Sequence, residues 1–397
     1  MPTNRFHDAW IKWLKQVRPN ERSSRVRTVA AFMTGLFSSR SVHLSEIAAE
    51  LPGRAKLPSQ ERRMRRLLDN YAIVPKLWYA PVARWWLDAV GRQTGEIVLL
   101  LDGTKVGANH QLLMVALALK QRTVPIAWTW VACKKGHSTR SKQLALLARV
   151  QAWLPPHVEV VIVGDSEFGT VAVIQQASNV WGWGYVLRQK GAVLAGIPTP
   201  TSPAADHAER SRPDRSLDAA SCTWQAMQEL APQPGVLCFW PQVLLTQRYA
   251  CPSGLVAYWE PGESEPWLLA TNCKRDEALR LYQQRMWIEE MFGDFKLNGF
   301  DLESTRLRHF RRLNRLTLWV CLLYTFLMRT GLLLELRGLR SLVDRHDRRD
   351  LSYFMLGLRY IKRLLNNGDE IVIKLCPDDL LDFLGRWPPG RLKLSGS

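Results

Sequence analysis

The sequence predicts an α/β protein: a mixed five-stranded sheet flanked by helices, interrupted by a β-rich insertion, with helical N- and C-terminal regions. Three observations carry this expectation. Two strongly apolar runs, EIVLLLDGTK (96–105) and VEVVIVGDSEFG (158–169), have the texture of buried central strands and stop at an Asp beside a Gly. Between them, QLLMVALALK (111–120) and VPIAWTWVACKK (124–135) are joined by a short polar link, too short for a parallel crossover, so the first three strands read as an antiparallel meander. Helical periodicity dominates at both ends of the chain.

In order, residues 1–92 read as helical. HLSEIAAEL (43–51) offers Ser45 as an N-cap, and SQERRMRRLLDN (59–70) is a basic amphipathic segment followed by Trp78, Trp85 and Trp86. A basic helical front end suits DNA docking; a merely solvated basic face is the competing reading. Residues 93–191 carry the five core strands, with a helix at SKQLALLARVQAWL (141–154) and the fifth strand at WGYVLRQKG (183–191). Residues 192–272 form the insertion. It opens with the aperiodic PTPTSPAADHAERSRPDRS (198–216) and continues through strands at 235–249, 254–260 and 265–272. Residues 273–330 return to the core with a helix from about Asp276 to 297. Residues 331–397 are helical to about 366, with a strand-like EIVIKL at 370–375.

Composition narrows the function. The chain has 397 residues and a formal net charge of +18; lysines and arginines in such excess usually meet a polyanion, and nucleic acid leads. The best apolar run, LWVCLLYTFLM (318–328), is too short to span a bilayer, and the N-terminus lacks an apolar signal core. No membrane partner is therefore expected. Seven cysteines without any C-x-x-C pair argue against structural zinc or a disulfide framework and for a reducing cytosol.

The chemistry converges on three carboxylates. Asp102 and Asp165 each stand where an apolar strand meets a Gly-containing loop, a rim where sheets present functional groups. A charge there is costly unless it binds a cation, although a loop-capping role competes. On the later helix, YQQRMWIEEMF (282–292) holds twin glutamates. At about 100° per residue, Tyr282, Arg285, Glu289 and Lys296 share a stripe roughly 60° wide, while Glu290 points away. Glu289 is thus the favoured acid. Three carboxylates suit two Mg²⁺ ions, with Mn²⁺ as a substitute, in an in-line phosphoryl displacement. Tyr282, Arg285 and Lys296 would hold a DNA phosphate beside them. An ordinary surface Arg–Glu pair is the bland alternative. RLRHFRRLNR (306–315) adds five arginines, including Arg308, Arg311 and Arg312, for DNA contact or a solvated face.

The spacing Tyr282-x2-Arg285-x3-Glu289-x6-Lys296, with Asp102 and Asp165 ahead of it, resembles a large group of bacterial insertion-sequence transposases. The likeness spans roughly residues 95 to 330. The resemblance implies an RNase H-like core, a DDE site of Asp102, Asp165 and Glu289 holding Mg²⁺, and an insertion domain. It further implies cut-and-paste transposition: hydrolysis at terminal inverted repeats, then attack of the freed 3′-OH on target DNA. It makes Trp267 a candidate for stacking on a flipped base, against a simple core role. A basic residue common one turn after the Glu is Gly293 here, so Lys105 or Arg188 is expected to supply phosphate grip. The same resemblance implies a homodimer in the synaptic complex, through residues 331–397; the compartment that the cysteines indicate is the reducing cytosol, or the nucleoid within it. Two alternatives stand: a metal-dependent nuclease or resolvase that does not join, and a non-catalytic DNA-binding regulator descended from a transposase.

Overall fold

The computed structural model describes residues 2–51, 53–107, 110–132, 138–198 and 217–385. Five helices open the chain: α1 (Pro2–Val17), α2 (Ser23–Ser39), α3 (Leu44–Ala49), α4 (Leu57–Asp69) and α5 (Pro75–Thr94). Prolines at the first turns of α4 and α5 supply the fixed φ a helix start needs. Gly95, in the left-handed region at φ 72°, closes α5 and redirects the chain into the sheet. The expected N-cap at Ser45 is not used. α3 begins one residue earlier at Leu44, and the Ser45 hydroxyl instead meets the His43 ring at 2.8 Å.

The core strands are β1 (Glu96–Val106), β2 (His110–Leu119) and β3 (Arg122–Val131), then β4 (Glu159–Gly164) and β5 (Gly184–Arg188). Between them lie α6 (Arg140–Gln151) and the short α7 (Val171–Gln175). β1, β2 and β3 pair antiparallel, as expected from the tight links, whereas β4 pairs parallel with both β1 and β5. Five further strands follow: β6 (Leu194–Pro198), β7 (Cys222–Ala226), β8 (Leu237–Leu245), β9 (Cys251–Tyr258) and β10 (Trp267–Thr271). They continue the same sheet through β10, which pairs antiparallel with β5, giving one 10-stranded order β3-β2-β1-β4-β5-β10-β9-β8-β6-β7. β6 and β7 escaped the sequence reading; the stretch 199–216 between them lies outside the described residues.

α8 (Arg275–Gln283), α9 (Met286–Phe295), α10 (Phe310–Leu336), α11 (Tyr353–Asn367) and α12 (Leu381–Gly385) complete the chain. α5, α9 and α10 pack on the β1–β3 part of the sheet. Among the described helices, α10 is the one long and apolar enough to cross a membrane by length and composition, yet 94% of its apolar window is buried inside the protein. Two of its threonines are hydrogen-bonded there: Trp130 Nε1 donates to Thr317 Oγ1 at 3.0 Å, and Tyr79 Oη reaches both Pro125 O (2.7 Å) and Thr325 Oγ1 (3.0 Å). α11 lies so close to α10 that a Cβ at Gly357 would sit 1.9 Å from Leu327 O, and one at Gly331 equally near Tyr353 O. Only glycine permits that approach. The strand expected at 370–375 does not form. Ile371, Ile373 and Leu375 alternate into the core, but Leu375 O accepts from the Trp86 indole rather than from a neighbouring strand.

Candidate active site at the ends of β1 and β4

Asp102 is 3% exposed, and it lies within β1 rather than at its end. The sequence suggested a stop at the Asp-Gly pair. Instead β1 runs on to Val106 as a hairpin with β2, while its partner β4 ends at Gly164, opposite Leu101. Asp102 and Asp165 are therefore the next residues along two adjacent parallel strands, whose spacing is about 4.8 Å. One Asp102 oxygen accepts from Gly103 N at 2.6 Å.

Asp165 begins a tight turn. Its Oδ1 accepts from Glu167 N at 2.9 Å and its carbonyl from Phe168 N at 3.0 Å. Glu167, which sequence reasoning passed over, is 6% exposed and anchors this turn from behind. Its carboxylate accepts from Gln111 Nε2 on β2 and from Ser138 N, both at 2.8 Å, and its carbonyl from Gln143 Nε2 on α6 at 3.0 Å. Nothing local in the sequence marks Glu167, because its partners come from β2, α6 and the loop before α6.

The single helix expected over 276–297 is two helices. Gln284 N and Arg285 N bond back three residues, to Leu281 O and Tyr282 O, and this tightened turn separates α8 from α9. Glu289 stands in the first turn of α9, 43% exposed at its side chain, and Arg285 Nη1 lies 2.7 Å from its Oε1. The same nitrogen lies 3.5 Å from Asp102 Oδ2. Arg285 is itself largely buried. Burial works against its charge, but Tyr282, Asp102 and Glu289 outweigh that and hold its pKa above the usual value. Glu290 points elsewhere, 61% exposed and 3.8 Å from Arg122. Lys296 is a correction to the expected stripe. α9 ends at Phe295, Lys296 takes a non-helical conformation, and its Nζ pairs with Glu303 at 2.6 Å.

Tyr282 is buried against Trp267, ring centroids 5.1 Å apart, and Trp267 also meets Tyr258 at 5.8 Å. Burial raises the Tyr282 phenol; Arg285 and Arg188 pull it down, and Asp165 pushes it up. Those influences place Tyr282, Arg285, Arg188 and Asp165 in one neighbourhood. Arg188, at the end of β5, also donates to Pro266 O at 3.2 Å and lies 3.1 Å from Glu265. Lys105 is exposed, and strand alternation sets it on the face of β1 opposite Asp102. Arg308, Arg311 and Arg312 lie at the start of α10, with Arg312 Nε 2.5 Å from Asp69.

A divalent cation of the Mg²⁺ or Mn²⁺ type takes hard oxygen donors. Asp102, Asp165 and Glu289 supply them, and a guanidinium nitrogen already sits between two of the three. Among the described residues no three acidic, histidine or cysteine side chains approach closely enough for a complete cage. The donor types are those a divalent cation takes, and Arg285 Nη1 lies between two of them, Asp102 and Glu289. Compared with known protein families and with curated proteins, the chain matches none.

Proposed function

We propose that the chain is a Mg²⁺-dependent DDE transposase with an RNase H-like core, acting on the terminal inverted repeats of a mobile element and on target DNA. The observation that carries this reading is the convergence of Asp102 and Glu289, from separate elements, on Arg285 Nη1, with Asp165 following the end of β4 on the strand beside Asp102. The order β3-β2-β1-β4-β5, with the first three antiparallel and the last three parallel, supports the core assignment.

In this reading Asp102, Asp165 and Glu289 hold two Mg²⁺ or Mn²⁺ ions. The chemistry bound divalent ions supply there is activation of the attacking oxygen and stabilisation of the leaving one. Arg285 turns from the carboxylates to a DNA phosphate, and Tyr282 with Arg188 borders the same phosphate. Trp267 walls the site from the β10 side. Glu167, through Gln111 and Ser138, keeps the Asp165 turn aimed at β1. Two copies hold two element ends, so the working form is a homodimer.

The test is Mg²⁺-dependent nicking of DNA carrying the sequences that flank the gene, repeated with Asp165→Asn. Strand transfer from pre-cut 3′-OH ends separates a transposase from a nuclease that does not join. Intact DNA binding with no nicking by the wild type under any divalent ion would leave the DNA-binding regulator.

A further inference from the structure

Resting on the reading of the chain as an enzyme of DNA, we propose that a cleft between α4, the turn after it and the start of α10 holds an unpaired stretch of the substrate strand. The cleft is lined by Asp69, Tyr71, Arg308, Phe310, Arg311 and Arg312. Segments far apart in sequence build it. Arg312 clamps Asp69 through two hydrogen bonds, at 2.5 and 2.9 Å, and buried Arg315 donates to Leu68 O (2.8 Å) and Ile73 O (3.0 Å). The turn carrying Tyr71 is thereby tied to α10.

The cleft exposes aromatic rings beside cations. Tyr71 is 87% exposed and Phe310 37%, an unusual expense of apolar surface at a site where arginines would suffice for a duplex backbone. Stacked bases inside a duplex have no free face for such a ring, whereas an unpaired base does. Cations that track the phosphates, interleaved with rings that stack, form the surface that single strands recognise.

Its position links it to the carboxylates. The β1–β2 hairpin overhangs the end of β4, and His110 at its tip donates to Arg308 O at 3.2 Å and meets the Phe310 ring edge-on at 5.7 Å. His110 pairs with Val106, four residues past Asp102, so the cleft mouth lies about 13 Å along β1 from the acid, at ~3.3 Å per residue. A strand with its scissile phosphate at Asp102 reaches the cleft within a few nucleotides.

The experiment compares binding of a labelled oligothymidylate and of a duplex of equal length by fluorescence anisotropy, without divalent ions. Tyr71→Ala should weaken single-strand binding about 5- to 100-fold and duplex binding less than about twofold, with Tyr71→Phe close to wild type. Tyr71 is so exposed that its removal leaves the fold intact, and circular dichroism verifies this. Unchanged single-strand binding, or equal losses on both DNAs, would overturn the proposal. Nicking through Asp102, Asp165 and Glu289 is scored separately on fully duplex ends. Failure of the clamp with nicking preserved leaves the active-site reading standing, and the reverse outcome leaves the clamp.

Discussion

Two clusters of three acids sit at opposite ends of the same pair of strands, and only one of them has the makings of a site. At one end Asp102 and Glu289 share Arg285, and Asp165 stands on the strand beside Asp102. At the other, Glu96 and Glu159 are direct partners across β1 and β4, with Glu277 beside them and Lys274, Trp181 and Trp183 lining the same hollow. The count of carboxylates is equal, so the count decides nothing. The difference is in what each cluster does with its charge. Glu96 is raised by burial and by Glu277 and Glu159, with Arg280 opposing: it is a group under like-charge pressure. Asp102 is more deeply buried, yet it shares one guanidinium nitrogen with Glu289. The first cluster also lies where the parallel pairing of β1 with β4 ends on its carboxyl side, the side on which such sheets present ligands.

The sharpest way to break the contrast is to neutralise one acid in each cluster. Asp102→Asn should reduce Mg²⁺-dependent nicking by at least about 10²–10³-fold, whereas Glu159→Gln should leave it within about twofold, measured on the same DNA ends. Next in size is Arg285→Ala. Removing the guanidinium takes a cation from a buried carboxylate and should destabilise the fold by about 1–3 kcal/mol in urea unfolding. Added Mn²⁺ should restore part of that loss if the carboxylates accept an ion in its stead.

How much of this was legible beforehand can be judged residue by residue. The alternation and apolar runs gave the five core strands, because buried strands must be apolar whatever surrounds them. Helical geometry alone separated Glu289 from Glu290, since both lie within one helix turn. Extrapolation failed over longer spans. Lys296 left the stripe because α9 ends at Phe295, and Ile371 and Ile373 alternate without a strand because the core, not a ladder, takes their side chains. β6 and β7 are only five residues each and have their hydrogen-bond partners far along the chain, so nothing local marks them. Glu167 is legible only with Gln111, Ser138 and Gln143 in view, from two other elements and a loop.

Two smaller effects sharpen the contrast through pH. Asp294, on the buried side of α9, has its carboxyl pushed up to about 7 by burial, with Arg122 opposing and Glu290 adding. An acid raised in the fold contributes stability that is complete below its unfolded pKa of about 4 and is lost as pH rises through about 7. Asp294→Asn should therefore flatten the fall in unfolding free energy between about pH 4 and 8, an effect of about 1–3 kcal/mol. Glu96 follows the same sign from its own upward shift. Its Gln variant should gain a few tenths of a kcal/mol at neutral pH, since the group is partly open to solvent, with nicking unchanged.

The most direct measurement sets the twin glutamates against each other. Glu289→Gln and Glu290→Gln differ by one position, and both side chains are exposed, at 43% and 61%. Assayed for Mg²⁺-dependent nicking of the flanking terminal sequences, Glu289→Gln should be inactive and Glu290→Gln close to wild type. Equal activity in the two variants, or loss in Glu290→Gln alone, would contradict a site built from Asp102, Asp165 and Glu289.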